Sequence, residues 1–282
     1  MTSELSSHIS LVTADYAELE ARVIAHAVGA NPSVAVHNPH PELFDGTQIV
    51  DVSVVVYSGG MDSFTLLQKT VRERRATTDY PRRIIAVSFN YNQRHSKELQ
   101  CATAVCQRLD ITHVIIPIPQ LAQLAPKNAL TASAQDVATP KGHYSADNMK
   151  ITVVPGRNTV MLSLAMAYME AFLNGAHGPV HPKSIGQILY GAHGGDHVIY
   201  PDCRPAFLRN MDALMRSATE DRVYLSAPFM YKDKTKILKL GLENYGLKAM
   251  DYMNTWTCYE GGRDPCEECG SCVERAEAFA AN

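Results

Sequence analysis

The sequence predicts an α/β protein built on a doubly wound parallel sheet. From Asp51 onward, short apolar runs alternate with longer amphipathic segments. The short runs are nearly continuous and rich in β-branched residues, as strands covered on both faces should be. Because parallel strands need crossover connections, the helices between them are expected to cover both faces of the sheet. The predicted strands are residues 52–57, 82–89, 112–118 and 186–192.

Five further segments have apolar residues at helical spacing, and Gly246 ends the last of them. Residues 119–150, by contrast, form a long connection with no clear period. Loops of this length in a compact domain are usually either disordered or functional. We therefore expect either a disordered segment or one that covers a substrate. The predicted helices are residues 63–75, 96–109, 158–173, 205–218 and 234–246.

Composition and charge exclude several classes of protein. The 282 residues carry 26 basic and 29 acidic side chains, a formal net charge of −3, so no overall basic field attracts nucleic acid. Five arginines between residues 72 and 83 are interpreted as a solvated helix end and loop. No apolar run approaches the roughly 18 residues of a membrane span, and the first ten residues lack the pattern of a secretory signal. A cytoplasmic protein with no membrane partner is expected.

A glycine-rich turn follows the first predicted strand, in the stretch VVVYSGGMDS at residues 54–63. Ligands of a doubly wound sheet bind beyond the carboxyl ends of its strands. Gly59 and Gly60 let the backbone curl with its amides exposed, and the next helix adds its positive N-terminal end, which suits phosphate. Asp62 would repel a bare phosphate, so we expect it to bind a magnesium ion that bridges phosphates or to order a donor within the loop.

Four of the seven cysteines crowd into the pattern C-x7-C-x2-C-x2-C near the C-terminus. In a chain without an export signal, such crowding favours a metal site over disulfides. Four thiolates fill the coordination shell of zinc, so a structural zinc ion within segment 256–282 is expected. An iron–sulfur cluster is the alternative for the same ligands. The predicted ligands are Cys258, Cys266, Cys269 and Cys272.

The glycine turn lacks the Lys-Ser/Thr pair of a Walker loop. The stretch SGGMDS resembles instead the pyrophosphate-binding loop SGGxDS of the ATP pyrophosphatase (PP-loop) superfamily. Further stretches resemble, in order, segments of the 7-cyano-7-deazaguanine synthase (QueC) family, and the resemblance extends from Asp51 to the C-terminus. It implies an adenine nucleotide alpha hydrolase-like, Rossmann-like fold for residues 49–282. These stretches are FNYNQRHSKEL, KNALT, VPGRNTVMLSLAMAY, YPDCRP, TWTCYEGG and CEECGSCVERAEAF.

The resemblance implies a ligase that forms a C–N bond and converts ATP to AMP and pyrophosphate. The carboxylate of 7-carboxy-7-deazaguanine would attack the α-phosphorus of ATP, and ammonia would displace AMP to give an amide. A second ATP would then convert the amide to the nitrile. The stretch GAHGGDHVI, residues 191–199, departs from the family pattern near the presumed base pocket. The alternative is therefore an enzyme that stops at the amide or joins the deazaguanine to another amine.

The resemblance also implies roles for individual residues. Arg157 would neutralise phosphate charge, with Arg94 as a further candidate, although either could be a structural ion pair. The implied catalytic residues are Ser58, Asp62, Ser63 and Arg157. The implied ATP-binding residues are Tyr57, Ser58, Gly59, Gly60, Met61, Asp62, Ser63, Phe64, Thr65, Leu66, Leu67, Arg94 and Arg157. The implied substrate-binding residues are His193, Asp196, Tyr200, Asp202, Cys203 and Arg204.

Residues 1–48 form a separate extension, in which LVTADYAELEARVIAHAVG resembles motif A of family A DNA polymerases. The rest of a polymerase palm is missing, so polymerase activity is excluded. We expect a structural or vestigial piece, which hints at a phage-like genome and at a product base destined for DNA rather than transfer RNA. The matching residues are Asp15, Tyr16, Glu20, Arg22, Ala25 and His26.

Two other functions fit the sequence less well. A transfer-RNA thiolating enzyme would need a reactive cysteine pair near the loop and a basic tract for RNA, which the net charge disfavours. A nucleic-acid-binding module built on the cysteine cluster would need more basic residues than Arg263 and Arg275 beside it. The expected partners are therefore ATP with magnesium, ammonia and 7-carboxy-7-deazaguanine, with no direct nucleic acid. A homodimer is a further expectation, because the resembling enzymes often pair.

Overall fold

The computed structural model describes residues 49–75, 83–131, 136–143, 146–178 and 180–282. The extension of residues 1–48, with its polymerase-like motif, lies outside this range. The predicted boundary between that extension and the main domain therefore stays a prediction.

Five parallel strands form one sheet in the order β3-β2-β1-β4-β5. The four predicted strands are confirmed as β1 to β4. The fifth was not predicted, because its four residues are too few to show a period. The strands are β1 (Ile49–Val56), β2 (Arg83–Asn90), β3 (Thr112–Pro117), β4 (Ser184–Leu189) and β5 (Val223–Ser226).

The five predicted helices are present, and each begins and ends within two residues of its predicted bounds. A short helix in the long connection and the C-terminal helix were not predicted. Within the described ranges, no helix is long and apolar enough to cross a bilayer. The helices are α1 (Met61–Arg75), α2 (Lys97–Leu109), α3 (Gln120–Leu124), α4 (Arg157–Leu173), α5 (Pro205–Ala218), α6 (Lys234–Asn244) and α7 (Gly270–Ala280).

The core consists of two apolar layers, one on each face of the sheet. Val54 and Val56 of β1 point into the layer formed with α4 and α5. Val55 between them points into the layer formed with α1, α2 and α6. Because successive side chains of a strand alternate between faces and both faces are covered, β1 needs an uninterrupted apolar run. This explains why the strand sequences show no polar alternation.

The connections place a crevice at the carboxyl ends of β1 and β4. From the central β1, the chain moves outward to β2 and β3, and later returns to the other side of β1 as β4. A crevice forms where the strand order reverses in this way, and ligands bind there. The glycine loop after β1 and residues 190–196 after β4 therefore meet at one place.

The long connection of residues 119–150 is held against the domain where it is described. Arg94 donates a hydrogen bond from Nη1 to Thr139 Oγ1 at 2.7 Å and another from Nη2 to the Val137 carbonyl at 2.6 Å. Lys141 pairs with Cys269 in an antiparallel bridge. Leu130 is buried and reaches the crevice. These contacts favour the expected covering segment over a disordered one for the described part of the connection.

Candidate active site

A cavity of about 220 Å³ lies at the crevice between β1 and β4. Its walls come from the glycine loop, the residues after β4, the first turns of α2, α4 and α6, and the segment before α7. One end is lined by Ser58, Gly60, Asp62, Ser63, Lys234, Trp256 and Thr257, and the remainder by His95, Glu98, Arg157, Asn158, Tyr190, His193, Asp196, Tyr200, Cys203 and Tyr259.

The glycine loop is fixed by contacts that only glycine allows. Gly59 has a φ of 91°, and a Cβ atom built there would lie 2.1 Å from the backbone oxygen of Glu98. The Gly59 carbonyl accepts a hydrogen bond from the Trp256 amide at 3.0 Å. Ser58 Oγ accepts from the Gly60 amide at 3.2 Å and lies 3.1 Å from Ser63 Oγ. The loop is thus held between α2 and the C-terminal segment.

Gly59→Ala is expected to lower the midpoint temperature of unfolding and the nucleotide turnover, because the added methyl group displaces either the loop or α2. A residue held in a sparsely populated φ region also carries about 1–3 kcal/mol of strain. Thermal unfolding followed by circular dichroism measures the first effect. Gly262→Ala is the matched control, since its nearest atom lies 3.5 Å away. Equal unfolding temperatures for the two variants would contradict this account of the loop.

A buried ionic cluster lies beside the loop. Lys234 Nζ is 3.3 Å from Asp62 Oδ2 and 2.7 Å from Glu274 Oε2. His193 Nε2 is 3.6 Å from Asp62 Oδ2 and 3.7 Å from Asp196 Oδ2. Burial alone would lower the pKa of Lys234, but the Asp62 and Glu274 carboxylates raise it above its ordinary value. Lys234 is therefore an ammonium ion at one end of the cavity.

Asp62 is ionised, and one of its carboxylate oxygens is available to a ligand. Burial alone would raise its pKa, but Lys234 and His193 hold the pKa of Asp62 well below its usual range. Among the described residues, its buried Oδ1 accepts no hydrogen bond. A buried carboxylate oxygen without a donor suits a hard divalent cation such as magnesium. The arrangement fits the expected role of Asp62 in holding such an ion.

His193 links the loop to the residues after β4. Its Nδ1 accepts a hydrogen bond from the Gly195 amide at 3.1 Å, which favours a proton on Nε2, toward the two carboxylates. Burial works against charge, but Asp196 and Asp62 raise the pKa of His193 to about 9. The Gly195 amide opposes full protonation, because Nδ1 accepts only while it is unprotonated.

Arg157 occupies the other part of the cavity. Its guanidinium carbon lies 5.9 Å from the ring centre of Tyr91 and 5.5 Å from that of Tyr200. Packing against aromatic faces holds a guanidinium in place and leaves its N–H groups available for a carboxylate or phosphate. Cys203 Sγ lies 3.3 Å from Asn158 Nδ2, and burial raises the pKa of its thiol well above the ordinary value. A positioning role for Cys203 thus fits better than a nucleophilic one.

Ten of the residues predicted for ATP or substrate line the cavity, and the others lie elsewhere for identifiable reasons. Asp202 Oδ2 accepts a hydrogen bond from the backbone amide of Asn158 at 3.3 Å and thereby caps α4. Arg204 is exposed and donates to the His197 carbonyl at 2.9 Å. Arg94 anchors the long connection. Gly59 is in the loop but faces the Glu98 backbone oxygen rather than the cavity. The apolar face of α1 packs into the core, which buries Met61, Phe64, Leu66 and Leu67, while Thr65 bonds to Tyr252.

Several cavity residues were not assigned by the sequence. Lys234 begins α6 directly after its N-cap Asp233, beyond the carboxyl end of β5, and this position was the available signal. Glu98 and His95 lie in the stretch FNYNQRHSKEL but received no role. Trp256 and Thr257 come from the cysteine segment, which the structure places against the glycine loop.

The four predicted metal ligands converge. The Sγ atoms of Cys258, Cys266, Cys269 and Cys272 all lie within 4.8 Å of one another. The Cys266 amide donates to Cys258 Sγ and the Cys269 amide to Cys266 Sγ, each at 3.3 Å. Sulfurs this close, with amides pointing at them, fit one metal ion bound by four thiolates.

The cysteine segment also forms a wall of the cavity. Trp256, two residues before the first ligand, donates from its amide to Gly59 and from Nε1 to the Cys258 carbonyl at 2.9 Å. Glu274, two residues after the last ligand, pairs with Lys234. The metal site is therefore tied to the loop and to the buried ammonium.

The sheet, the glycine loop at its switch point and the adjoining ionic cluster define a nucleotide-binding enzyme of the PP-loop type. The family model described as "Queuosine biosynthesis protein QueC" matches residues 52–282, and the chain belongs to this family. A 7-cyano-7-deazaguanine synthase from Hahella chejuensis is 45% identical over 238 residues, 84% of this chain and 92% of that protein. One from Marinobacter nauticus is 48% identical over 234 residues, 83% and 95% of the two chains.

Among solved structures, an NMN synthetase from Francisella tularensis is similar at 14% identity. The similarity covers 79% of this chain and 72% of that one, with a TM-score of 0.38. A likeness this distant adds nothing to the assignment, which depends on the family match and on the sheet itself.

Proposed function

We propose that this chain converts 7-carboxy-7-deazaguanine and ammonia to 7-cyano-7-deazaguanine, using two ATP molecules and passing through an adenylate and an amide. Relatives named for this synthase activity share nearly half of their residues with it. The observation that carries the proposal is a single cavity whose lining combines two sets of groups. The glycine loop and Lys234 form a set suited to phosphates. Arg157, Tyr200 and Cys203 form one suited to a flat base with a carboxylate.

In this proposal the loop amides, Ser58, Ser63 and Lys234 bind the departing pyrophosphate. A fixed ammonium and preorganised amides stabilise charge that develops on leaving phosphates, which is the main contribution a protein makes to such a reaction. A magnesium ion held by Asp62 would supply additional neutralisation of phosphate charge. Arg157 would orient the reacting carboxylate against the α-phosphate and keep its charge balanced until the adenylate forms.

The decisive experiment measures how many AMP molecules are released per molecule of product. The chain is incubated with the 7-carboxy base, ammonium, magnesium and ATP. Mass spectrometry then identifies the product, and the AMP released is measured. We expect the nitrile with two AMP per molecule of product. One AMP per amide would identify an enzyme that stops at the amide, and a mass matching another amine would identify a conjugating enzyme. Release of ADP instead of AMP would contradict the proposal outright.

The proposal extends to the cofactors and partners. Zinc is the ion proposed for the four cysteines, in a structural role, because four thiolates leave no position open for water. Small molecules are the proposed substrates, with no direct contact to nucleic acid, and a homodimer is the proposed assembly. Whether the base enters DNA stays a hypothesis from the sequence of residues 1–48. Base analysis of the DNA of the source would reject it if no deazapurine is found.

A further inference from the structure

One buried acid in the cavity has no part in the roles described so far. Glu98 lies in the first turn of α2, is 8% exposed and lines the same cavity as the glycine loop. Its backbone oxygen is the atom against which Gly59 packs, so the side chain projects from the element that supports the loop. Burying a carboxyl group is unfavourable unless hydrogen bonds or charges compensate for it. The presence of Glu98 in this cavity therefore indicates a role in the reaction.

Burial increases the affinity of Glu98 for a proton, while two neighbouring groups oppose this effect. Its Oε1 accepts a hydrogen bond from Gln93 Nε2 at 3.0 Å and lies 3.4 Å from His95 Nε2. Burial lowers the pKa of His95 to about 3, so this imidazole is neutral and offers no full counter-charge. Burial raises the pKa of Glu98 to about 8, although the hydrogen bond from Gln93 and the charge of Arg157 both act to lower it. A carboxyl group of this kind exchanges protons near neutral pH, as a general base must.

The proposed reaction requires a base at the ammonia step. Most ammonia is present as ammonium at neutral pH, and ammonium has no lone pair with which to attack an acyl carbon. We propose that Glu98 is the general base that deprotonates ammonium inside the cavity, an inference that rests on the proposed function.

In this step a proton moves from ammonium to the Glu98 carboxylate. The freed lone pair of nitrogen forms a bond to the acyl carbon of the adenylate. The bond from that carbon to the bridging oxygen breaks, and its electron pair leaves with AMP. The surplus proton on nitrogen passes to the departing AMP phosphate, which leaves a neutral primary amide. Glu98 then releases its proton to solvent, and Gln93 is the positioning residue that orients its carboxyl group.

The test compares two nucleophiles. Hydroxylamine is a weaker base than ammonia and is neutral at neutral pH, so it can capture the adenylate without a protein base. Glu98→Gln is expected to slow amide formation from ammonium about 100-fold or more, while hydroxamate formation stays within about threefold of wild type. Glu98→Asp keeps the carboxyl group and is expected to retain part of the ammonium-dependent rate.

Glu73→Gln is the matched control, because Glu73 is exposed on α1 and pairs with Lys69 away from the cavity. Equal losses with both nucleophiles, or a raised KM for the 7-carboxy base alone, would overturn the inference in favour of base binding or structural support. An unchanged ammonium rate in Glu98→Gln would also overturn it. A wild-type enzyme that releases no AMP with the 7-carboxy base would overturn the proposed function itself.

Discussion

Cys272→Ser is expected to release the bound metal and abolish synthesis. The Cys272 sulfur is one of four that lie within 4.8 Å of one another, and three thiolates bind zinc far more weakly than four. Structural zinc sites contribute about 10–16 kcal/mol of apparent binding energy in small peptides. Even a net loss of about 3 kcal/mol would lower the unfolding midpoint by roughly 6–12 °C in a domain of this size. Elemental analysis and thermal unfolding measure the two effects.

The loss of activity follows from the position of the metal segment. Without its metal, the segment no longer holds Trp256 against Gly59 or Glu274 against Lys234. Cys101→Ser is the control, because this half-buried thiol packs beside the cluster but lies outside the group of four. One equivalent of zinc in the wild type is expected, whereas iron with visible absorbance would identify an iron–sulfur cluster. A Cys272→Ser enzyme that keeps full metal and activity would refute the assignment.

Lys234→Met is expected to reduce nucleotide turnover about 100- to 1,000-fold, the range found when one donor to a developing negative charge is removed. Methionine preserves the length of the side chain but removes the ammonium between Asp62 and Glu274. Removing one partner of a buried ionic cluster also destabilises a fold by about 3–5 kcal/mol, because the remaining charges lose their compensation. Release of AMP and pyrophosphate measures the first effect, and denaturant unfolding the second.

A second substitution separates these two effects. Lys234→Arg keeps the positive charge and is expected to recover much of the stability but little of the turnover, because a guanidinium cannot reproduce the position of the ammonium. Lys236→Met is the surface control, since Lys236 is exposed and pairs with Asp233 at the start of α6. Full turnover in Lys234→Met would show that the phosphate end of the cavity does not depend on this residue.

The strands and long helices were predictable because their signals are local. Val54, Val55 and Val56 are apolar in succession since both faces of β1 are covered, and this pattern is visible without knowledge of the partners. The four-residue β5 was missed, because a strand so short leaves no period. The C-terminal helix α7 was not predicted, because this segment was interpreted only as a metal site.

The candidate site was predictable only where a motif carries it. Asp62 and the glycines were identified from six consecutive residues, and the cysteine ligands from their spacing. Met61 lies in this motif and Phe64 directly follows it, but both are buried in the core, because a motif does not state which face of its helix meets the ligand. Arg94 and Arg204 were expected at the site, yet their guanidinium groups bind the long connection and the His197 carbonyl.

By itself, the sequence determined the α/β class, the phosphate loop, the cysteine ligands and the family, because each depends on residues that are near neighbours or follow in a fixed order. Only the tertiary structure decided which distant charges meet: Lys234 with Asp62, Glu274 with Lys234, and Glu98 beside the loop. Such pairings join residues more than 30 positions apart. The strand order that brings them to one crevice is set by how the sheet packs, and no local pattern of residues contains that information.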